Sequence, residues 1–132
     1  MNQISIKVGS RYRVDRKKIR SSVEKVLSEH ARVECVVSVS IVGERRMREL
    51  HTQYMQDPTI TDVLSFPQYD PTQLDKNFPL LVVNDPITVL GDIVVCFPEA
   101  VREARKLGKM VDDQICFLVE HGMLHLLGFH HD

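Results

Sequence analysis

Near the N-terminus the apolar residues fall at every second position. Ile4, Ile6 and Val8 alternate with Ser5 and Lys7 in "ISIKV", the period of an edge strand with one buried face. The interval then lengthens: Val14, Ile19, Val23, Val26 and Leu27 recur at helical spacing through "VDRKKIRSSVEKVLSEH", which predicts an amphipathic helix. "VECVVSVSIVG" is β-branched and almost continuously apolar, as a buried strand should be, and Gly43 stops it. In "ERRMRELHTQYM" the spacing of Met47, Leu50 and Tyr54 is helical again. The chain therefore opens with a β-α-β-α pattern.

"TDVLSFP" predicts a short strand closed by Pro67, and the stretch 68–88, which holds three of the six prolines and no sustained period, predicts a long surface loop. "VLGDIVVCF" is a fourth strand. Pro98 then stands where the first turn of a helix tolerates it, ahead of "EAVREARKLG" with Gly108 as the stop. In "VDDQICFLVEHGMLHLLG" the apolar residues surround the helix, so it should be buried. Asp112 and Asp113 suit the positive end of its dipole, and Gly128 suits its C-terminal cap. The predicted class is α+β: a small mixed sheet of about four strands covered by helices. With 132 residues, 43% of them hydrophobic, the chain fits one domain over 1–132.

Composition changes this picture in two places. The formal net charge is only -1, yet residues 1–48 carry 12 Lys and Arg against 5 Asp and Glu, while 49–132 carry 5 against 13. A basic face able to follow a phosphate backbone would produce this asymmetry, and so would solvated helix surfaces. Cys35, Cys96 and Cys116 are odd in number, far apart and set among apolar neighbours. They predict buried free thiols in a reducing compartment, with no disulfide framework and no zinc ribbon. The N-terminus lacks the apolar run of a signal peptide and no stretch is long enough to span a membrane, so a cytoplasmic protein is expected.

The candidate chemistry lies at the end of the chain, where "EHGMLHLLGFHHD" holds four of the six histidines. His121 and His125 are four residues apart, hence on the same face of the last predicted helix, and can present two nitrogens to one ion. Gly128 lets the chain turn back, so His130 or His131 can supply a third. Three histidines leave one position of a tetrahedral zinc open for water, the pattern of a catalytic site; hydrogen-bonded core histidines are the other reading of the pair. Zinc peptidases of the H-E-x-x-H type carry a general base directly after the first histidine, where this chain has Gly122. A glycine inside a helix implies close packing or a nearby substrate, and Glu120 points to a different face.

"HGMLHLLGFHH" resembles the H-G-x-L-H-L-x-G-[YF]-D-H motif of the YbeY family of endoribonucleases, which act in ribosomal RNA maturation, and "TDVLSFP" and "LGDIVV" match its two other characteristic stretches. The resemblance covers about His51 to Asp132. It implies a zincin-like metal-dependent hydrolase fold, one Zn2+ per chain, and His121, His125 and His131 as its ligands. Thr61, Asp62 and Ser65 match the middle motif, with Thr61 and Ser65 as candidate substrate contacts; Gly91 and Asp92 match the next. This chain departs from the pattern at His130, which stands in place of an Asp and is the substitute third ligand. It departs again at Met55, where many members have an Arg that would suit a phosphate; Arg45, Arg46 and Arg48 are possible replacements.

The resemblance further implies cleavage of single-stranded RNA, with ribosomal RNA and the small ribosomal subunit as partners and no membrane. Catalysis would fall to a metal-activated water, which either attacks phosphorus or takes the proton of the ribose 2′-OH. The basic N-terminal half would contribute salt-dependent affinity, and Tyr12, Tyr54 and Tyr69 are the tyrosines available for base stacking. Two rivals stand beside this reading: another metal hydrolase such as a peptidase, and a ribosome-assembly RNA-binding factor with a structural or vestigial metal.

Overall fold

The computed structural model describes residues 2–31, 33–56, 59–68 and 87–129. The element order is β1 (Gln3–Val8), α1 (Arg16–His30), β2 (Glu34–Val42), α2 (Glu44–Met55), β3 (Val63–Pro67), β4 (Ile87–Cys96), α3 (Phe97–Leu107) and α4 (Val111–Leu126). The strands form one mixed sheet in the order β1-β2-β4-β3. β1, β2 and β4 are parallel, and β3 runs antiparallel along the outside of β4. The α+β class and the four-stranded mixed sheet agree with the sequence pattern. β4 starts two residues earlier than predicted, because Ile87 and Thr88 already pair with Glu34 and Cys35 of β2. The greater part of the predicted surface loop lies outside the described residues.

Alternation along β2 divides the molecule. Cys35, Val37, Val39 and Ile41 are buried on one face, where they join Ile19, Val23 and Leu27 of α1 and Ile115, Val119 and Met123 of α4 in the main core. Ser38, Ser40 and Val42 lie on the other face, which a smaller cluster covers only in part: Met47 and Leu50 of α2 against Leu64, Val94 and Cys96. At the outer edge, Arg16 and Arg20 of α1 donate to the carbonyls of Ile6 and Ile4 at 2.9 and 2.8 Å, occupying acceptors that an open strand would otherwise offer.

α4 is largely buried, as its composition predicts, although Phe117 remains outside. It lies beside α1 and runs the same way. Asp112 Oδ1 accepts from the Asp15 amide at 3.1 Å, Lys18 pairs with Asp113, and Lys25 pairs with Glu120 at 3.4 Å, in the same order along both helices. At its end Gly128 (φ 91°) follows the cap residue Leu127, its amide donating to His125 at 3.0 Å and that of Phe129 to Leu124 at 2.9 Å. This pair of bonds is the Schellman arrangement, which a glycine at that position permits. Among the described residues no helix is long and apolar enough to cross a membrane.

A bulge fits β4 to both of its neighbours. Its register with β2 steps from Val36↔Val89 to Val37↔Gly91, so Leu90 is the extra residue and Gly91 takes φ +149°. A Cβ on Gly91 would lie 2.3 Å from the Phe66 carbonyl oxygen and 3.0 Å from the Pro67 Cα, both backbone atoms of β3. Gly91→Ala should therefore lower the melting temperature sharply, with a loss of at least about 2 kcal/mol from steric and backbone strain together. A thermal melt followed by circular dichroism checks this, and an unchanged midpoint would contradict the packing described.

Candidate metal centre

Residues 121 and 125 are one turn apart on α4, and the two imidazoles converge. The Nε2 atoms are 3.1 Å apart, with ring centroids at 4.6 Å and planes at 59°. Two such nitrogens either share a proton or face a common electrophile. Zinc–nitrogen bonds of about 2.0–2.1 Å at a tetrahedral angle put two ligand nitrogens about 3.3 Å apart, so the observed spacing fits a shared ion. Among the described residues no group of three His, Cys, Asp or Glu could hold a metal. His130 and His131 lie outside those residues; the last described residue, Phe129, is bonded back to Leu124, next to His125.

The histidines open onto a cavity of about 330 Å³ whose other wall is β3, with Val63, Ser65 and Pro67 facing it and Asp62 and Met55 also lining it. Gly122 determines how close this wall stands. A Cβ there would meet Ile93 Cγ2 at 3.0 Å and Ser65 Oγ at 3.1 Å. Close packing of α4 on the sheet therefore accounts for the glycine. Ser65 Oγ also donates to the Gly122 carbonyl at 3.3 Å, tying β3 to the helix turn that carries both histidines. Glu120 points away toward Lys25, as the helical spacing implies.

The remaining motif residues separate into two groups. Asp62 is fixed by its carbonyl, which accepts from the Cys96 amide at 2.8 Å. Its side chain hydrogen-bonds the Glu103 carboxyl, which also accepts from the buried Gln114 at 2.8 Å. Burial pushes the Glu103 pKa up, the Asp62 bond raises it further, and the Gln114 bond opposes both. A pair of neighbouring carboxyls thus stands beside the histidine cavity. Glu103 escaped the sequence reading because nothing in "EAVREARKLG" distinguishes it from other helix-surface acids. Thr61 is half-buried and does not line the cavity.

Asp92 belongs elsewhere. It faces the far side of the sheet, where it accepts from Gln68 Nε2 at 3.2 Å. Met55 does line the histidine cavity, half of it exposed, whereas Arg45 and Arg46 pair with Glu49 at 3.6 and 3.3 Å. Tyr12 is not free to stack on a base: its ring lies 4.4 Å from Phe97 and fills the space beside Gly9 and Gly43. Tyr54 is 57% exposed, and Tyr69 lies outside the described residues. The three cysteines are buried and free, with Cys35 pushed up to about 11 by burial, so these thiols are unreactive.

A sequence model described as Endoribonuclease YbeY matches residues 4–132. The chain belongs to the YbeY family. Among similar proteins, the Endoribonuclease YbeY of Frankia casuarinae is 43% identical over 95 residues, which are 72% of this chain and 46% of that protein. The Endoribonuclease YbeY of Leifsonia xyli is 36% identical over 102 residues, 77% of this chain and 63% of that one. The chain spans about half to two thirds of the length of these relatives. The solution structure of TM1509 from Thermotoga maritima shares the fold, with a TM-score of 0.60 at 24% identity over 100% of this chain and 75% of that one. The histidine motif and the middle motif in this chain thus meet at one place, the wall between α4 and β3, while Asp92 of the third faces the other side of the sheet.

The raised Glu103 pKa has a stability consequence. A carboxyl whose folded pKa lies above its unfolded value of 4.5 stabilises the fold fully below that value and loses the contribution as pH rises through the folded pKa. Glu103→Gln keeps a neutral hydrogen-bonding group at every pH. Its melting temperature relative to wild type should therefore rise between about pH 4 and pH 7. Melts across that range check it, and a difference independent of pH would contradict the assignment.

Proposed function

We propose that this chain, one domain over 1–132, is a zinc-dependent endoribonuclease that cleaves single-stranded RNA in the cytoplasm. In this reading it acts in ribosomal RNA processing and in maturation of the small ribosomal subunit. The observation that carries the proposal is the convergence of His121 and His125 on a cavity walled by β3, in a chain whose relatives are named as endoribonucleases. His121, His125 and His131 would hold one Zn2+, with His130 as the substitute for the third. A divalent ion bound there would supply Lewis-acid polarisation of a phosphoryl oxygen and activation of water near neutral pH.

The chain's own groups would do the rest. β3 and the Ser65 hydroxyl would position the RNA backbone against the histidines, and Ser65 would keep the two walls at fixed separation through Gly122. Asp62, on the cavity wall, would accept a hydrogen bond from the RNA or from water held there. Met55 offers no charge to a phosphate, so the cations would come from the basic segment 1–48. A peptidase reading lacks the general base that Gly122 displaces. The buried unreactive thiols suit a reducing cytosol.

End-labelled single-stranded RNA should be cleaved by the wild-type protein with zinc. His125→Ala or chelation should lower the rate by at least about 100-fold, and zinc should restore only the chelated wild type. A cyclic phosphate on the product would assign the attack to the ribose 2′-OH, and a linear end to water. Equal cleavage by both preparations would mark a contaminant. Tight binding of ribosomal RNA without cleavage would favour the assembly-factor alternative.

A further inference from the structure

The sheet face opposite the histidines carries a second cavity of about 340 Å³, as large as the first. Its floor is the polar side of the strands: Ser38 and Ser40 of β2, and Asp92 of β4, whose carboxylate is held by Gln68. Lys7 of β1 and Arg46 of α2 also line it, from the basic half of the chain. An aromatic pair completes the lining, Tyr54 and Phe66, with centroids 4.9 Å apart and Tyr54 57% exposed. Nothing in the proposed hydrolytic chemistry uses these groups.

Strand geometry connects the two cavities. Phe66 lines the far one, while its neighbours Ser65 and Pro67 line the histidine cavity; Tyr54 lines the far one and Met55 the other. One edge strand and the end of one helix are therefore the partition between them. Among the described residues β3 is the outermost strand of the sheet, so a flexible chain that crosses its outer edge would occupy both sides.

We infer that the far cavity is a nucleotide-binding subsite, in which a nucleotide next to the cleaved bond stacks its base on Tyr54 and Phe66. Its phosphate meets Lys7 and Arg46, and the Ser38 and Ser40 hydroxyls donate to phosphate oxygens. Asp92 would repel a phosphate but accepts a hydrogen bond from a ribose hydroxyl, which suits RNA. This inference rests on the endoribonuclease reading and supplies the cationic contacts that Met55 cannot.

The test measures binding of a fluorescent ten-nucleotide oligouridylate by anisotropy, alongside cleavage of the same RNA. It compares wild type, Lys7→Glu, Tyr54→Ala and the control Lys106→Glu, a charge change on the exposed side of α3. Lys7 and Tyr54 are both exposed, and thermal melts confirm that each variant folds. Lys7→Glu and Tyr54→Ala should each weaken binding by about 5- to 100-fold, the scale of one lost stacking or phosphate contact, with Lys106→Glu near wild type. Wild-type affinity in both variants, or equal weakening by Lys7→Glu and Lys106→Glu with none by Tyr54→Ala, overturns the subsite and leaves the endoribonuclease reading standing. A wild-type protein that neither binds nor cleaves the RNA overturns both.

Discussion

The close approach of α4 to the sheet at Gly122 is the contact on which the rest depends. With no Cβ there, Ile93 and Ser65 come within about a van der Waals contact of the helix axis side of α4, and Ser65 bonds the Gly122 carbonyl. A Cβ there would require Ile93 or Ser65 to give by a few tenths of an ångström, so the glycine lets the helix and β3 sit this close without adjustment. The cost of a glycine inside a helix, about 1 kcal/mol relative to alanine, is offset by a rigid wall spacing. His121 and His125 flank that glycine, so the helix turn that is pinned is also the one that bears the imidazoles. A site on such an element holds its geometry better than one on a loop.

The same mixed sheet separates two environments. On one side lies the apolar core that buries α4 and α1, with the histidines emerging at its margin beside β3. On the other, α2 covers only the β3–β4 end, and the strands present serines, a lysine and an aspartate to solvent. The charge asymmetry of the sequence is partly consumed by structure: Lys18 and Lys25 bind α4, Arg16 and Arg20 close the β1 edge, and Arg45 and Arg46 pair with Glu49. Lys7 lines the far cavity, and Arg46 reaches it beside its partner Glu49, so the proposed RNA path runs across β3.

The sequence disclosed most of the fold because its periods are clean. Alternation in β1, helical spacing in α1, the β-branched run of β2 and the flanking glycines of α3 and α4 correspond to elements within a few residues. It also disclosed the histidine pair, since an i, i+4 spacing on a helix is geometry. What stayed hidden was everything set by contacts between distant segments. The Asp62–Glu103 pair joins the residue just before β3 to α3 across some forty residues. Gly122 was ambiguous between packing and substrate until Ile93 and Ser65 were placed against it. Tyr12 looked like a free stacking surface, and only the fold brings Phe97 onto its face. Asp92 sits one residue from Ile93 yet on the opposite side of the sheet, a distinction that depends on register.

The central claim is that His121 and His125 together form a metal site, and calorimetric titration of zinc into the apo protein tests it most directly. The account predicts one ion per chain, with affinity reduced by at least about 100-fold in both His121→Ala and His125→Ala while their far-ultraviolet spectra stay native. Zinc binding that is unchanged in either variant would contradict it.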